Sequence, residues 1–237
     1  MAEYSRPGIA VLASGSGSTM EAFVHASQDG IVDAEIHVVI SDRPCEGSFE
    51  RVNRLNKLYG LEIRAVEANR MLYPGGEQER GQTLEESEVI CRVISDAQCS
   101  LVVLMGYMRI VAPEGDLMKE YGWHPDYSML ETDNSPHGIL EARMLNTHPG
   151  ILPETTDTYG IHTQSKVLEL GLDTTAHTVH AVSAGVDKGP IFTEHEVPVF
   201  SDDDPQTLFD RVQRIEKAYL PIDIDKFIKL RQEMEQA

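Results

Sequence analysis

Residues 144–150, MLNTHPG, hold the side chains of this chain that are best suited to chemistry. Two apolar residues lead into Asn146 and His148, and the Pro-Gly pair that follows ends regular structure. Side chains two positions apart in a strand share a face, so both should project together from a strand end. An amide that steadies an oxyanion, beside an imidazole that moves a proton, suits acyl or formyl transfer. A polar strand end closed by a turn is the alternative interpretation.

A glycine-rich turn near the N-terminus is a candidate anion site. The apolar run 8–13 predicts a buried strand, SGSGST follows at 14–19, and a helix is expected at 20–28. Ser18 and Glu21 have the spacing of a capping box that would fix the helix start. Because the turn lacks a Walker lysine and the third glycine of a dinucleotide loop, we expect it to bind a single phosphate or similar anion. A simple tight turn is the alternative.

The elements that must position these residues alternate between strands and helices. Strands are predicted at residues 8–13, 34–41, 61–67, 101–106, 144–148, 175–182 and 190–199. Helices are predicted at residues 20–28, 48–59, 83–97, 163–170 and 204–220, with Pro221 separating the last of these from a final polar helix. This alternation predicts an α/β fold, with a Rossmann-like, mostly parallel twisted sheet and helices on both faces, in one domain over residues 1–237.

Residues 114–142 are predicted to be an irregular insertion in that domain. A long loop in a compact domain usually has a function or a partner, and Trp123 and Tyr127 offer apolar anchors. We therefore expect the segment to cover the site or to form a subunit contact. His124, Asp126 and His137 lack the spacing of zinc ligands, so no metal is expected here.

Composition limits the partners. The chain has 237 residues, 41% of them apolar, and a net charge of −19. Nucleic-acid binding requires a basic surface, so DNA or RNA is not expected as the main partner. The sequence has no run of about 18 apolar residues and no apolar signal region, so we expect a cytoplasmic protein without membrane contact. The three cysteines form no CxxC pair and are expected to be reduced.

In this order, the motifs resemble the folate-dependent formyltransferase superfamily, and in particular its phosphoribosylglycinamide formyltransferase family. The resemblance covers about residues 8–222 and rests on ASGSGST, LMGYMRIVAP, MLNTHPGILP, YGIHTQ, HTVHAV and VDKGPI. It implies the formyltransferase fold and transfer of the formyl group of 10-formyltetrahydrofolate, a co-substrate, to the amine of glycinamide ribonucleotide in de novo purine biosynthesis. It implies no metal and small-molecule partners only, and it is compatible with a homodimer.

The resemblance also assigns roles. The catalytic residues would be Asn146, His148 and Asp187. The ribonucleotide would contact Gly17, Ser18, Thr19, Gly150, Ile151 and Glu216. The folate would contact Met108, Arg109, Ile110, Val111, Ser183 and Val186. In this scheme Asn146 and a protonated His148 stabilise the oxyanion, while Asp187 orients His148 and helps to move the proton.

Several alternatives stay open at this point. Relatives within the superfamily include 10-formyltetrahydrofolate hydrolase, sugar-nucleotide N-formyltransferases and methionyl-tRNA formyltransferase, the last disfavoured by the acidic charge. A non-catalytic phosphate or folate binder is disfavoured by the intact trio. His180 fits a buried hydrogen-bonded position as well as a catalytic one, and His177 and His195 are expected to be ordinary strand histidines.

Overall fold

The structure is a computed structural model, and it describes residues 6–43, 46–69, 80–124 and 137–237. The strands are β1 (Gly8–Ala13), β2 (Glu35–Ser41), β3 (Arg64–Glu67), β4 (Leu101–Leu104), β5 (Met144–His148), β6 (Thr174–Ala181) and β7 (Ile191–Pro198). The helices are α1 (Ser18–Gln28), α2 (Glu46–Tyr59), α3 (Leu84–Asp96), α4 (Asp116–Tyr121), α5 (His137–Leu140), α6 (Ile161–Glu169) and α7 (Pro205–Gln236).

The seven strands form one twisted sheet in the order β3-β2-β1-β4-β5-β6-β7. The first five of these pair in parallel, and β6 and β7 add two antiparallel strands. The direction of strand addition reverses between β1 and β4, and a crevice forms there outside the carboxyl ends of the strands. The predicted α/β class with a mostly parallel sheet is therefore confirmed.

Both faces of the sheet are buried, which explains why the parallel strands are continuous apolar runs. Alternate residues of β1 enter different cores: Ile9 and Val11 pack in one cluster, and Ala10 and Leu12 in the other. The first cluster includes buried side chains of α1, α2 and α7, and the second includes those of α3 and α4.

The start of α1 differs from the prediction. Gly17, with φ of 76°, is the N-cap, and no side chain caps the helix, so the expected Ser18–Glu21 capping box is wrong. The Glu21 carboxylate instead forms ion pairs with Arg51 and Arg54 of α2. Two guanidinium groups offer this carboxylate more charge-assisted hydrogen bonds than one backbone N–H at the cap would, so the arginines hold it away from the cap.

Helix α7 also differs, because it continues through Pro221 as one helix of 32 residues. An interior proline costs roughly 3 kcal/mol. Leu220, Ile224 and Phe227 on both sides of it are fully buried in one core. Burying each such side chain gives roughly 1.5–3 kcal/mol, so packing outweighs the proline.

The described parts of the segment 114–142 are more regular than the sequence predicted, and its proposed role as a cover or subunit contact stays a prediction. Residues 116–121 form α4, whose Leu117, Met118 and Tyr121 are buried in the second core. Trp123 is half-buried and packs against the first core. Tyr127 and Asp126 lie outside the described residues. Over the ranges that the structure describes, no helix has both the length and the apolar character needed to cross a bilayer.

Candidate active site

A cavity of about 250 Å³ opens at the carboxyl ends of β1, β4 and β5. Its lining includes most of the site residues predicted from the sequence: Gly17, Ser18, Thr19, Met108, Arg109, Ile110, Val111, Asn146, His148, Ser183, Val186, Asp187 and Glu216. Gly150 and Ile151 are not among the lining residues. The glycine-rich turn, the end of β5 and Asp187 therefore line one cavity, as the sequence predicted.

Asp187 lies between two imidazoles rather than beside one. Its Oδ2 is 3.8 Å from Nδ1 of His148, and its Oδ1 is 3.5 Å from Nε2 of His180. The backbone N–H of Asp157 donates to Oδ2 at 3.2 Å. Burial works to raise the pKa of Asp187, but the protonated forms of His180 and His148 and the Asp157 N–H favour the carboxylate, and the pKa lies below its usual value. Asp187, whose side chain is 9% exposed, is therefore a largely buried carboxylate that favours its charged form.

His180 belongs to the site, which the sequence left undecided. In the register of the antiparallel pair β5–β6 it lies directly opposite Asn146. Its Nδ1 lies 3.0 Å from the carbonyl oxygen of Ala181, which can only accept, so the proton is on Nδ1. Nε2 then accepts from Nδ2 of Asn146 at 3.0 Å, and the same amide nitrogen reaches Oδ1 of Asp187 at 3.5 Å.

The environment of His148 fixes its tautomer. The hydroxyl of Thr155 donates its single proton to the carbonyl of Ile151 at 2.6 Å, so at 2.9 Å it accepts from Nε2–H of His148. The lone pair is then on Nδ1, the nitrogen on the side of Asp187. Burial lowers the pKa of His148 to about 4, although the Asp187 carboxylate opposes this change. A lowered pKa favours a neutral His148 near pH 7, so the protonated form in the scheme from the sequence would arise during the reaction.

Gly150 lies behind the imidazole of His148 and keeps space for it. A Cβ at this position would lie 2.4 Å from Oγ1 of Thr155 and 3.0 Å from Nε2 of His148. Any larger residue would push apart the hydrogen bond that fixes the tautomer. Gly150 therefore leaves room for the imidazole of His148. The carbonyl of Ile151 orients the Thr155 hydroxyl that accepts from this imidazole.

The glycine-rich turn contributes backbone at the N-terminus of α1, with residues 15–19 lining the cavity. Nε of Arg51, on α2, donates to the carbonyl of Ser16 at 2.7 Å and ties the turn to that helix. The sequence did not point to this arginine, because no local pattern links residue 51 to the turn. The backbone N–H groups in the first turn of α1 and the helix dipole favour an anion here.

Glu216 of α7 lies on the floor of the cavity close to that turn. Its Oε1 accepts from the hydroxyls of Thr19, at 3.3 Å, and Thr147, at 3.2 Å. Burial raises the pKa of Glu216, although these two hydrogen bonds oppose the change. The carboxylate joins α1, β5 and α7 at the point where a polar ligand would enter.

The segment 108–111 lines the opposite side of the cavity after β4. Met108 N–H donates to the hydroxyl of Ser14 at 2.8 Å, which fixes this segment against the glycine-rich turn. Arg109 is only 4% exposed, and its guanidinium pairs with Glu86 of α3. Its charge is therefore committed to a buried ion pair.

Comparisons with known proteins point to one family. The family model for formyl transferases matches residues 138–224, which contain the trio and Glu216. The phosphoribosylglycinamide formyltransferase of Mycobacterium tuberculosis is 30% identical over 212 residues, which are 90% of this chain and 80% of that protein. The chain also matches the trifunctional purine biosynthetic protein adenosine-3 of Drosophila melanogaster, at 28% identity over 224 residues. That match covers 93% of this chain but only 14% of the length of the Drosophila protein.

A solved structure agrees with the sequence matches. Glycinamide ribonucleotide transformylase 1 from Symbiobacterium toebii superposes with a TM-score of 0.75 at 28% identity. The match covers 94% of this chain and 88% of that chain.

Proposed function

We propose that this chain, which belongs to the phosphoribosylglycinamide formyltransferase family, transfers the formyl group of 10-formyltetrahydrofolate to the amine of glycinamide ribonucleotide in purine biosynthesis. One observation carries the proposal: Asn146, His148 and Asp187 meet in a single cavity, with an anion turn on one side and the segment 108–111 on the other. Transfer between two bound small molecules requires this arrangement, with proton-transfer groups placed between two binding surfaces.

The ribonucleotide fits the side formed by α1 and α7. Its phosphate would accept hydrogen bonds from the backbone N–H groups of Gly17, Ser18 and Thr19. The carboxylate of Glu216 would accept from ribose hydroxyls. This arrangement answers the electrostatic problem of an anionic substrate on a chain of net charge −19, because the phosphate meets a helix N-terminus rather than the acidic surface.

The folate fits the side formed by the segments 108–111 and 182–186. Met108, Val111 and Val186 offer apolar surface, and the main chain of these segments offers donors and acceptors for a flat heterocycle. Arg109 supports the segment through Glu86 rather than binding a folate carboxylate. Ser183 lies at the same edge of the cavity.

The catalytic scheme begins with a neutral His148. As the amine attacks the formyl carbon, negative charge develops on the formyl oxygen, and an N–H of Asn146 moves to it from the long contact with Asp187. The lone pair on Nδ1 of His148 takes the proton that the amine loses, and the Asp187 carboxylate stabilises the resulting imidazolium. The same proton then passes to the folate nitrogen as the carbon–nitrogen bond breaks.

A turnover assay with several acceptors tests this proposal. Tetrahydrofolate formation from 10-formyltetrahydrofolate would be followed with glycinamide ribonucleotide, with an amino-sugar nucleotide and with water alone. We expect rapid turnover with glycinamide ribonucleotide and little without an amine, and we expect His148→Asn to abolish it. Turnover that does not depend on added amine would indicate a hydrolase, and preference for the amino sugar would replace the proposed acceptor.

A further inference from the structure

We infer that His177, His195 and Asp223 bind a divalent transition-metal ion of the zinc type, at a site separate from the catalytic trio. The three residues come from β6, β7 and α7, and each offers a ligand atom within 4.8 Å of the others. His177 and His195 are direct partners in the β6–β7 register, and their rings are parallel within 5° at a centroid distance of 5.9 Å. The proposed formyl transfer uses none of them.

The hydrogen bonds around His177 leave one ring nitrogen with a free lone pair. The hydroxyl of Thr147 donates its proton to Oε1 of Glu216 at 3.2 Å, so at 2.8 Å it accepts from Nε2–H of His177. Nδ1 of a neutral ring is then unprotonated. This nitrogen is buried and has no hydrogen-bond partner among the described residues. A buried acceptor without a partner is unfavourable, and a bound cation would supply one.

The other two groups are already close to a ligand geometry. Nε2 of His195 lies 2.9 Å from Oδ2 of Asp223. Two donors that are each about 2.0–2.1 Å from a zinc ion lie roughly 3.3 Å apart at the tetrahedral angle, so this pair needs little movement. His177, whose ligand atom lies within 4.8 Å of the others, would have to approach by up to roughly 1.5 Å.

The donor set selects the class of ion. Two imidazoles with one carboxylate suit zinc and its neighbours in the first transition row, whereas calcium and magnesium prefer oxygen ligands alone. His195 is only half-buried and stacks on the exposed Tyr219, which gives an ion access from the surface.

Metal binding to the full-length chain, stripped with a chelator, tests the inference. Zinc titrated by calorimetry, in competition with a weak chelator, should bind as one ion per chain. The matched pair is Asp223→Asn and Asp225→Asn, two carboxylates on one helix, of which Asp225 pairs with Lys229. Asp223→Asn should weaken zinc binding by more than about 100-fold, beyond the range found for outer-sphere partners, and Asp225→Asn should leave it unchanged.

A second pair compares histidines. His195→Asn should weaken zinc binding to the same degree, while His25→Asn, on α1, should have no effect. Cobalt added in place of zinc should give visible d–d absorption in the parent and in both controls, but not in the other two variants. Zinc should also raise the melting temperature of the parent and of Asp225→Asn, in which the site is intact. It should not raise that of Asp223→Asn or His195→Asn.

Three results would overturn the inference: no binding by the parent, unchanged affinity in a folded Asp223→Asn or His195→Asn, or loss of binding in the His25→Asn control. Circular dichroism would establish that each variant is folded. If Asp223→Asn does not fold, His195→Asn decides the question, because its side chain lies at the edge of the core.

Discussion

Asp187→Asn is the most informative change in the catalytic site, because it keeps the shape of the side chain and removes its charge. Oδ2 of Asp187 is 3.8 Å from Nδ1 of His148, and Oδ1 is 3.5 Å from Nε2 of His180. Since His148 is neutral at rest, the carboxylate acts mainly when the imidazole takes a proton. The charge therefore matters in the transition state more than in the bound ground state.

The structure gives the expected size of the effect. Two unit charges separated by 3.8 Å interact by about 4 kcal/mol at an effective dielectric constant of about 20. Since about 1.4 kcal/mol corresponds to a tenfold change in rate, turnover should fall by about three orders of magnitude. The pKa of His148, about 4 in the parent, should fall further, because the Asp187 carboxylate is the largest of the influences that raise it.

The assay is a double-mutant cycle on turnover, with KM measured for both substrates. Asp187→Asn should lower kcat about a thousandfold and change either KM much less. In a His148→Asn background it should cost far less, because the two residues act as a unit. The same cycle with His180→Asn tests whether Asp187 acts through His180, its other neighbouring imidazole. Fully additive losses with His148 would refute the coupling, and coupling with His180 alone would move the role to that histidine.

Four further predictions follow from the geometry. Gly150→Ala should lower kcat at least tenfold, because its Cβ would meet Thr155 Oγ1 at 2.4 Å; a crystal structure would show the His148 ring displaced. His148, whose pKa is about 4 against an ordinary 6.5, destabilises the fold as pH falls through that window. The free energy of unfolding should be roughly 2 kcal/mol smaller at pH 5 than at pH 7 because of His148. Urea titrations of His148→Asn at the two pH values should not show this decrease. Gly17→Ala should weaken ribonucleotide binding in calorimetry, because φ is 76° and the Cβ would press on α2; Gly30→Ala, with φ of 74° in open space, is its control. Leu117→Ala should cost about 2–5 kcal/mol in urea unfolding, whereas a peripheral segment would tolerate it.

The parallel part of the fold was predictable because strands buried on both faces are continuous apolar runs. The helix predicted at 83–97 is present as α3, and Thr83 and Glu86 form a capping box at its start, since both groups lie within one turn of helix. The same pattern at Ser18 and Glu21 failed. There the carboxylate is held by arginines of α2, about 30 residues away, and a local pattern carries no information on such a competitor.

The site residues also divide into those that a local pattern predicts and those that only the tertiary structure places. Asn146 and His148 share a face because strands have a period of two, which the sequence alone provides. His180 joins them only through the register of β5 and β6, which sets it opposite Asn146. Thr155 fixes the tautomer of His148 from a loop with no periodicity, so no signal in the sequence could have identified it.

Helix α7 connects the active site with the inferred metal site, and the connection depends on the continuity of the helix through Pro221. Glu216 and Asp223 are seven residues apart, so an unbroken helix places them on nearly the same face. Pro221 lies between them, and a helix ending there would leave Asp223 without a fixed direction. Because packing keeps α7 helical through the proline, Glu216 and Asp223 lie on nearly the same face. Glu216 contacts Thr147 at the cavity, and Asp223 contacts His195. His177 then joins the two through Thr147, which contacts both that histidine and Glu216.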